Sequence, residues 1–220
     1  MKFIIKDIKN EPRSLRTYRS TPGVSYDGCD KVDIRNALLN EQGFICAYCN
    51  QRIKDDDEFG NPRTSIEHYE AQANEEEKKL NYFNMLGVCN GNEGNPIHLT
   101  HCDRSRGNKF LFVNPMNSNC ETFIKYDTDG SMYSNDERVE KDINEVLNLN
   151  NDRLTMWRKM VMDKVVEDMK RKYKKKEGQT YSRSDLNNEI KNWETRHENK
   201  YYPFCQVAIF YLNKKLARLT

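Results

Sequence analysis

The stretch from Cys46 to Lys109 collects residue types that bind metal ions and move protons. Cys46-Ala-Tyr-Cys49 is a C-x-x-C turn, which sets two thiolates on one metal at about 2.3 Å each. Cys89 and Cys102 supply two further thiols, and four close a tetrahedral structural zinc site with no position left for water. Twelve residues separate Cys89 from Cys102, where a second C-x-x-C is usual, so His98 and His101 could stand in for a thiol. Interleaved with the thiols are Glu67-His68, near the end of the run Arg63-Thr-Ser-Ile-Glu-His-Tyr69, and Asp103 directly after Cys102. Carboxylates beside a histidine can hold a catalytic divalent cation and activate water. On a strand, neighbouring side chains face opposite ways, so Glu67 and His68 converge only where the strand distorts or ends.

Simpler readings compete with both chemistries. A thioredoxin-type redox pair at Cys46 and Cys49 would need a βαβ setting, which the flanking pattern lacks. A lone histidine is usually structural and a Glu-His pair is often a surface feature, yet this pair lies between two sets of thiols. No secretory signal opens the sequence, and no apolar run approaches the roughly 18 to 20 residues that span a bilayer. The chain is therefore expected in the cytoplasm, where seven cysteines point to metal binding rather than disulfides. Cys29, Cys120 and Cys205 then read as small buried hydrophobes.

Several elements must position these groups. Asp30 to Gln42 predicts a helix, with Asp30 or Asp33 as cap, a stripe of Val32, Ile34, Ala37, Leu38 and Leu39, and Gly43 as its stop. It delivers the chain to the C-x-x-C turn. Pro62 to Tyr69 predicts a strand, Leu80 to Cys89 a helix, and the Asn- and Gly-rich interval before Cys102 a loop. Met1 to Asp7 and Phe110 to Val113 read as short strands, and Glu11 to Asp30 as an extended arm or ordered loop carrying Arg13, Arg16 and Arg19. Thr128-Asp129-Gly130 predicts a hairpin between Glu121–Tyr126 and Ser131–Ser134. From Glu137 the pattern is helical, including a long helix through Trp157, Met160, Val161 and Val165 that runs into the basic segment Lys170 to Lys176. Helical stretches from Asp185 to Glu198 and from Phe204 to Leu216 complete the chain. The net charge of +2 hides an asymmetry, because the basic surplus lies after residue 150 and would attract phosphate or an acidic partner.

Read in order, Cys-x-x-Cys, Glu-His, Asn, Cys, Cys-Asp-x-x-Arg-Gly resembles the motif of the HNH nucleases. More closely, Cys-Ala-Tyr-Cys, Ile-Glu-His-Tyr, Asn-Met-Leu-Gly-Val-Cys, His-Cys-Asp and Phe-Val-Asn-Pro are similar to the PtuB nucleases of Septu-type anti-phage systems and of some retrons. The resemblance implies an α+β fold: a zinc-stapled HNH (ββα-metal) nuclease core over residues 1–134, with its N-terminal arm, and a helical region over 135–220 available for partner docking. It implies Cys46, Cys49, Cys89 and Cys102 as zinc ligands, Cys102 being favoured over His101 because it directly precedes Asp-x-x-Arg-Gly. His68 would be the general base, Glu67 and Asp103 would hold Mg²⁺ or Mn²⁺, and Asn84 would orient His68 or its loop. Arg106, in the family's usual lysine position, would contact the scissile phosphate, with Asn108 as a lesser candidate ligand.

The same resemblance implies a nucleic-acid substrate, DNA before RNA, and a hetero-complex with a PtuA-like ATPase. The alternative is a zinc-stabilised module that binds nucleic acid or protein without catalysis, using Lys170 to Lys176 as a phosphate-binding run. His68 separates the two, since a pure binding module does not need it.

Overall fold

Asp30 and Gly43 frame the helix on which the site is built. The Asp30 side chain accepts from the Val32 and Asp33 amides at the start of α2 (Lys31–Gln42), and Gly43 ends it at φ 60°. A Cβ at Gly43 would stand 2.5 Å from the Tyr201 ring, so the stop is fixed by both conformation and packing. The structure, a computed structural model, describes residues 1–54, 63–70, 76–174 and 180–219. Most of the acidic turn before Pro62, together with Lys175, Lys176 and Gly178, lies outside the described residues.

Two small antiparallel sheets carry the strands. Strand β1 (Thr64–His68) pairs with β2 (Met85–Cys89), with Ile66 opposite Gly87 and His68 opposite Met85. Gly87 turns both backbone groups away from β1: its amide donates to Gln42 Oε1 at 2.7 Å, and its carbonyl accepts from Gln42 Nε2 at 2.8 Å and from the Ala47 amide at 3.1 Å. A Cβ at Gly87 would come within 3.3 Å of that Gln42 amide. One glycine thus joins the end of α2, the cysteine turn and the hairpin. The second sheet pairs β3 (Lys125–Tyr126) with β4 (Met132–Tyr133) across the expected Asp-Gly turn.

The other elements are short helices and four longer stretches. Helices α1 (Arg13–Arg19), α3 (Glu76–Lys79), α4 (Asp103–Arg106) and α5 (Cys120–Phe123) are one or two turns. Helix α6 (Glu137–Lys141) continues into a π-turn at Asp142–Val146. Helices α7 (Asp152–Tyr173), α8 (Arg183–Glu194) and α9 (Cys205–Leu216) form the C-terminal region.

Five sequence expectations change. The hairpin arm expected over Glu121–Tyr126 is a strand only at Lys125–Tyr126, because Cys120–Phe123 forms α5. Met1 to Asp7 joins no sheet; the Ile4 amide donates to Pro115 O and the Phe3 amide to Glu121. The Glu11–Asp30 arm contains α1, whose Arg16 and Arg19 pair with the buried Glu11 carboxylate. Leu80 to Cys89 is not a helix: a 3₁₀ turn at Tyr82–Asn84 leads into β2, whose five residues are all buried. Phe110 to Val113 is not a strand, because the Phe112 and Val113 amides both donate to Asp142 Oδ2 at 2.7 Å instead of to a neighbouring chain.

The C-terminal helices share a core with the cysteine turn. One hydrophobic cluster contains Cys46, Cys49, Cys89 and Cys102 together with Val139, Ile143, Leu154, Met162, Phe204 and Val207. The Phe204 amide donates to Asn50 O at 2.8 Å, directly behind the turn. Met156 and Met160, in contrast, are exposed on α7. Among the described residues, no helix is long and apolar enough to cross a membrane.

Candidate metal and catalytic centre

The four thiols of the C-x-x-C turn, β2 and the start of α4 converge. Every pair of ligand atoms among Cys46, Cys49, Cys89 and Cys102 lies within 4.8 Å, with Cys46–Cys102 and Cys49–Cys89 both at 3.9 Å. Ligands about 2.3 Å from a tetrahedral metal stand about 3.8 Å apart, so the set fits one ion. Local backbone bonds build the pocket. Asn50 takes φ 61° just after the turn and its amide donates to Cys46 O, while Cys102 takes φ 55° and its amide donates to Leu147 O at 2.8 Å. All four cysteines are buried and unpaired as disulfides. Burial pushes the Cys49 and Cys102 thiols up, whereas hydrogen bonds from its neighbours hold Cys89 well down. A cation is what lets all four become thiolates together.

The two histidines left open by the sequence separate here. His98 is exposed. His101 is 2% exposed and places Nδ1 3.2 Å from Cys102 Sγ and 3.8 Å from Cys89 Sγ. It stands beside the thiol set, placed to orient or neutralise it, while the four sulfurs already complete a tetrahedron.

Glu67 lies one element away, at the end of β1. Its carboxyl accepts from Tyr48 Oη at 3.0 Å and pairs with Arg106 Nη1. Burial first, and then the adjacent Asp103 carboxyl at the start of α4, push Glu67 up to about 8 against the pull of Arg106. Asp103 is only partly buried and stands close enough to Glu67 to share a hydrogen bond with it.

Arg106 does not serve as expected. Its side chain is almost fully buried, and its donors go to Lys109 O (Nε, 3.0 Å), Tyr48 Oη and His68 O (Nη1, 3.0 and 3.1 Å), and Tyr69 O (Nη2, 2.5 Å), in addition to Glu67. A guanidinium so committed cannot also reach a phosphate. It is a positioning residue that clamps the end of β1 onto α4.

His68 is 4% exposed, with Nε2 2.8 Å from Lys79 O and its ring edge-on to Tyr26 at 4.8 Å. Strand alternation therefore turns His68 toward Tyr26 and Glu67 toward Arg106. Asp103 is the group whose charge reaches both. Burial lowers the His68 pKa, so the ring is neutral at pH 7, with Nε2–H donating to Lys79 O. Asn84 accepts from the Glu70 amide at 2.7 Å and donates to Glu70 O and Lys78 O. Asn108 is exposed and stands apart from the carboxyl pair's hydrogen-bond network.

Tyr48 is the functional candidate that sequence reasoning misses. The signal was present, since an aromatic hydroxyl inside a metal-binding turn is buried by its position and must find a partner. Tyr26, on a 3₁₀ turn in the arm, had no such signal. Comparison with protein-family models yields no match to this chain. No curated protein matches it either.

Proposed function

We propose that the chain is a metal-dependent HNH-type endonuclease that hydrolyses nucleic-acid phosphodiester bonds. The observation that carries this reading is the β1–β2 hairpin followed by α4, which brings Glu67 and His68 from a strand end and Asp103 from a helix start beside four gathered thiols. Zinc at Cys46, Cys49, Cys89 and Cys102 is structural, since the chain itself fills all four positions. Glu67 and Asp103 would hold Mg²⁺ or Mn²⁺, which when bound supplies charge neutralisation at the phosphate and the departing oxygen. His68, neutral and buried, takes the proton of the attacking water as the new P–O bond forms and the bond to the leaving oxygen breaks. Asn84 ties Glu70 to Lys78 beside the end of β1, and Arg106 with Tyr48 fixes Glu67. Work in a complex with a PtuA-like ATPase, in anti-phage defence, rests on the motif resemblance alone.

Co-expression with a PtuA-like ATPase, followed by assays on DNA and on tRNA with Mg²⁺, Mn²⁺ or chelator, tests the reading. Cation-dependent cleavage supports it. Binding without cleavage under every cation would favour the non-catalytic module.

A further inference from the structure

Phe110 is the most exposed large apolar side chain among the described residues, at 79%. Its neighbours are not loose. The Lys109 carbonyl accepts from Arg106 Nε at 3.0 Å, the Leu111 carbonyl accepts from Tyr69 Oη at 2.9 Å, and the Phe112 and Val113 amides are held by Asp142. Leu111 and Val113 are buried at 1% and 2%. The backbone on both sides is pinned while one ring is held out in water.

The backbone on either side of that ring is tied to residues of the candidate centre. The guanidinium that grips Glu67 also grips the carbonyl immediately before Phe110, and Tyr69, which bonds the carbonyl immediately after it, directly follows His68. Lys109 is exposed, and its ammonium donates to the Glu145 backbone carbonyl rather than to a carboxylate, so its charge stays available to an anion. An exposed aromatic face beside a cation is the pairing that binders of single strands use, stacking for a base and positive charge for the backbone.

We infer that Phe110 is a stacking platform for an unpaired base of the strand presented to Glu67 and Asp103, with Lys109 on a flanking phosphate. This rests on the nuclease reading above and deepens it: the substrate is engaged as a single strand, or as a duplex locally opened. Stacking of this kind tolerates any base, because every base has a π-face.

The test uses the full chain with Phe110→Trp, Phe110→Leu and Phe110→Ala, all at a solvent-exposed position where folding is undisturbed. Native Trp157 and Trp193 are partly and largely buried, so the added emission reports on position 110. Single-stranded DNA, single-stranded RNA and duplex DNA are titrated in separate arms. The expected result is quenching of Phe110→Trp by a single strand, DNA or RNA according to the true substrate, and little by closed duplex. Phe110→Leu and Phe110→Ala should bind that strand about 5- to 150-fold more weakly than wild type. Unchanged emission at a strand concentration that saturates binding, or wild-type affinity in Phe110→Leu, would overturn the inference. If either occurs while wild type still cleaves and His68→Ala does not, the stacking role falls and the nuclease reading stands.

Discussion

Tyr48, between Cys46 and Cys49, donates its hydroxyl to the Glu67 carboxyl at 3.0 Å. The metal-binding turn and the candidate cation ligand are therefore joined by one hydrogen bond, and Arg106 closes the triangle by donating to both. The four-thiol cluster and the Glu67–Asp103 pair are thus linked through the Tyr48 side chain. Tyr48→Phe should keep the ring in place and the thiols metallated while costing about 1 kcal/mol of stability. Its cleavage rate should fall with metal content unchanged, as read by elemental analysis beside a cleavage assay.

Arg106→Ala leaves the Glu67 carboxyl and several backbone carbonyls without their partner in a buried site. A loss of about 3 to 5 kcal/mol is expected, measured by denaturant unfolding. Were Arg106 a phosphate contact, the same substitution would lower cleavage and leave stability nearly intact.

One tightly held zinc per chain is expected from the four converging sulfurs. Cys46→Ser or Cys102→Ser should lose it and yield misfolded protein, because these positions sit in the main hydrophobic cluster. His101→Ala should retain the metal with weakened affinity. Elemental analysis at well under one zinc in wild type would contradict this.

The His68 pKa is lowered by burial, which fixes the sign of two pH effects. The unfolded ring titrates near 6.5, above the folded one. Between the two values the unfolded chain binds more protons, so this group's contribution to stability is complete above about 6.5 and is lost as pH falls toward the folded pKa. Cleavage should show the same acid limb, below the ordinary histidine range, as the base becomes protonated. His68→Gln should unfold with less dependence on pH in that window than wild type.

The sequence reads residues 135–220 as a helical region available for partner docking, and within it Leu154, Met162, Phe204 and Val207 belong to the core that holds the cysteines. Truncation after Asn150 should therefore give aggregated or zinc-poor protein, seen by size exclusion and metal analysis. Substitutions confined to exposed Met156 and Met160 are the better probe of a partner surface.

Helix α2 is legible in the sequence because its signals are local: an Asp cap, an apolar stripe and a glycine stop. Strand β1 is legible through alternation. Strand β2 is not, since Met85–Cys89 is buried on both faces and a short continuous apolar run carries no period to separate strand from helix. The four thiols are legible as ligand types, and the structure adds their convergence. The role of Arg106 is hidden because its partners come from Tyr48, Glu67, His68, Tyr69 and Lys109, and no spacing rule announces a guanidinium shared among them. Phe110 to Val113 misleads for a related reason: its hydrophobicity resembles a strand, while a distant carboxylate takes its amides.

The most direct measurement compares wild type and His68→Ala in a cleavage assay with a PtuA-like ATPase added, after matching the two for zinc content and thermal stability. Loss of Mg²⁺- or Mn²⁺-dependent cleavage by at least about 100-fold in the variant is the result expected for a general base. Cleavage at the wild-type rate by a properly folded His68→Ala protein would contradict the account.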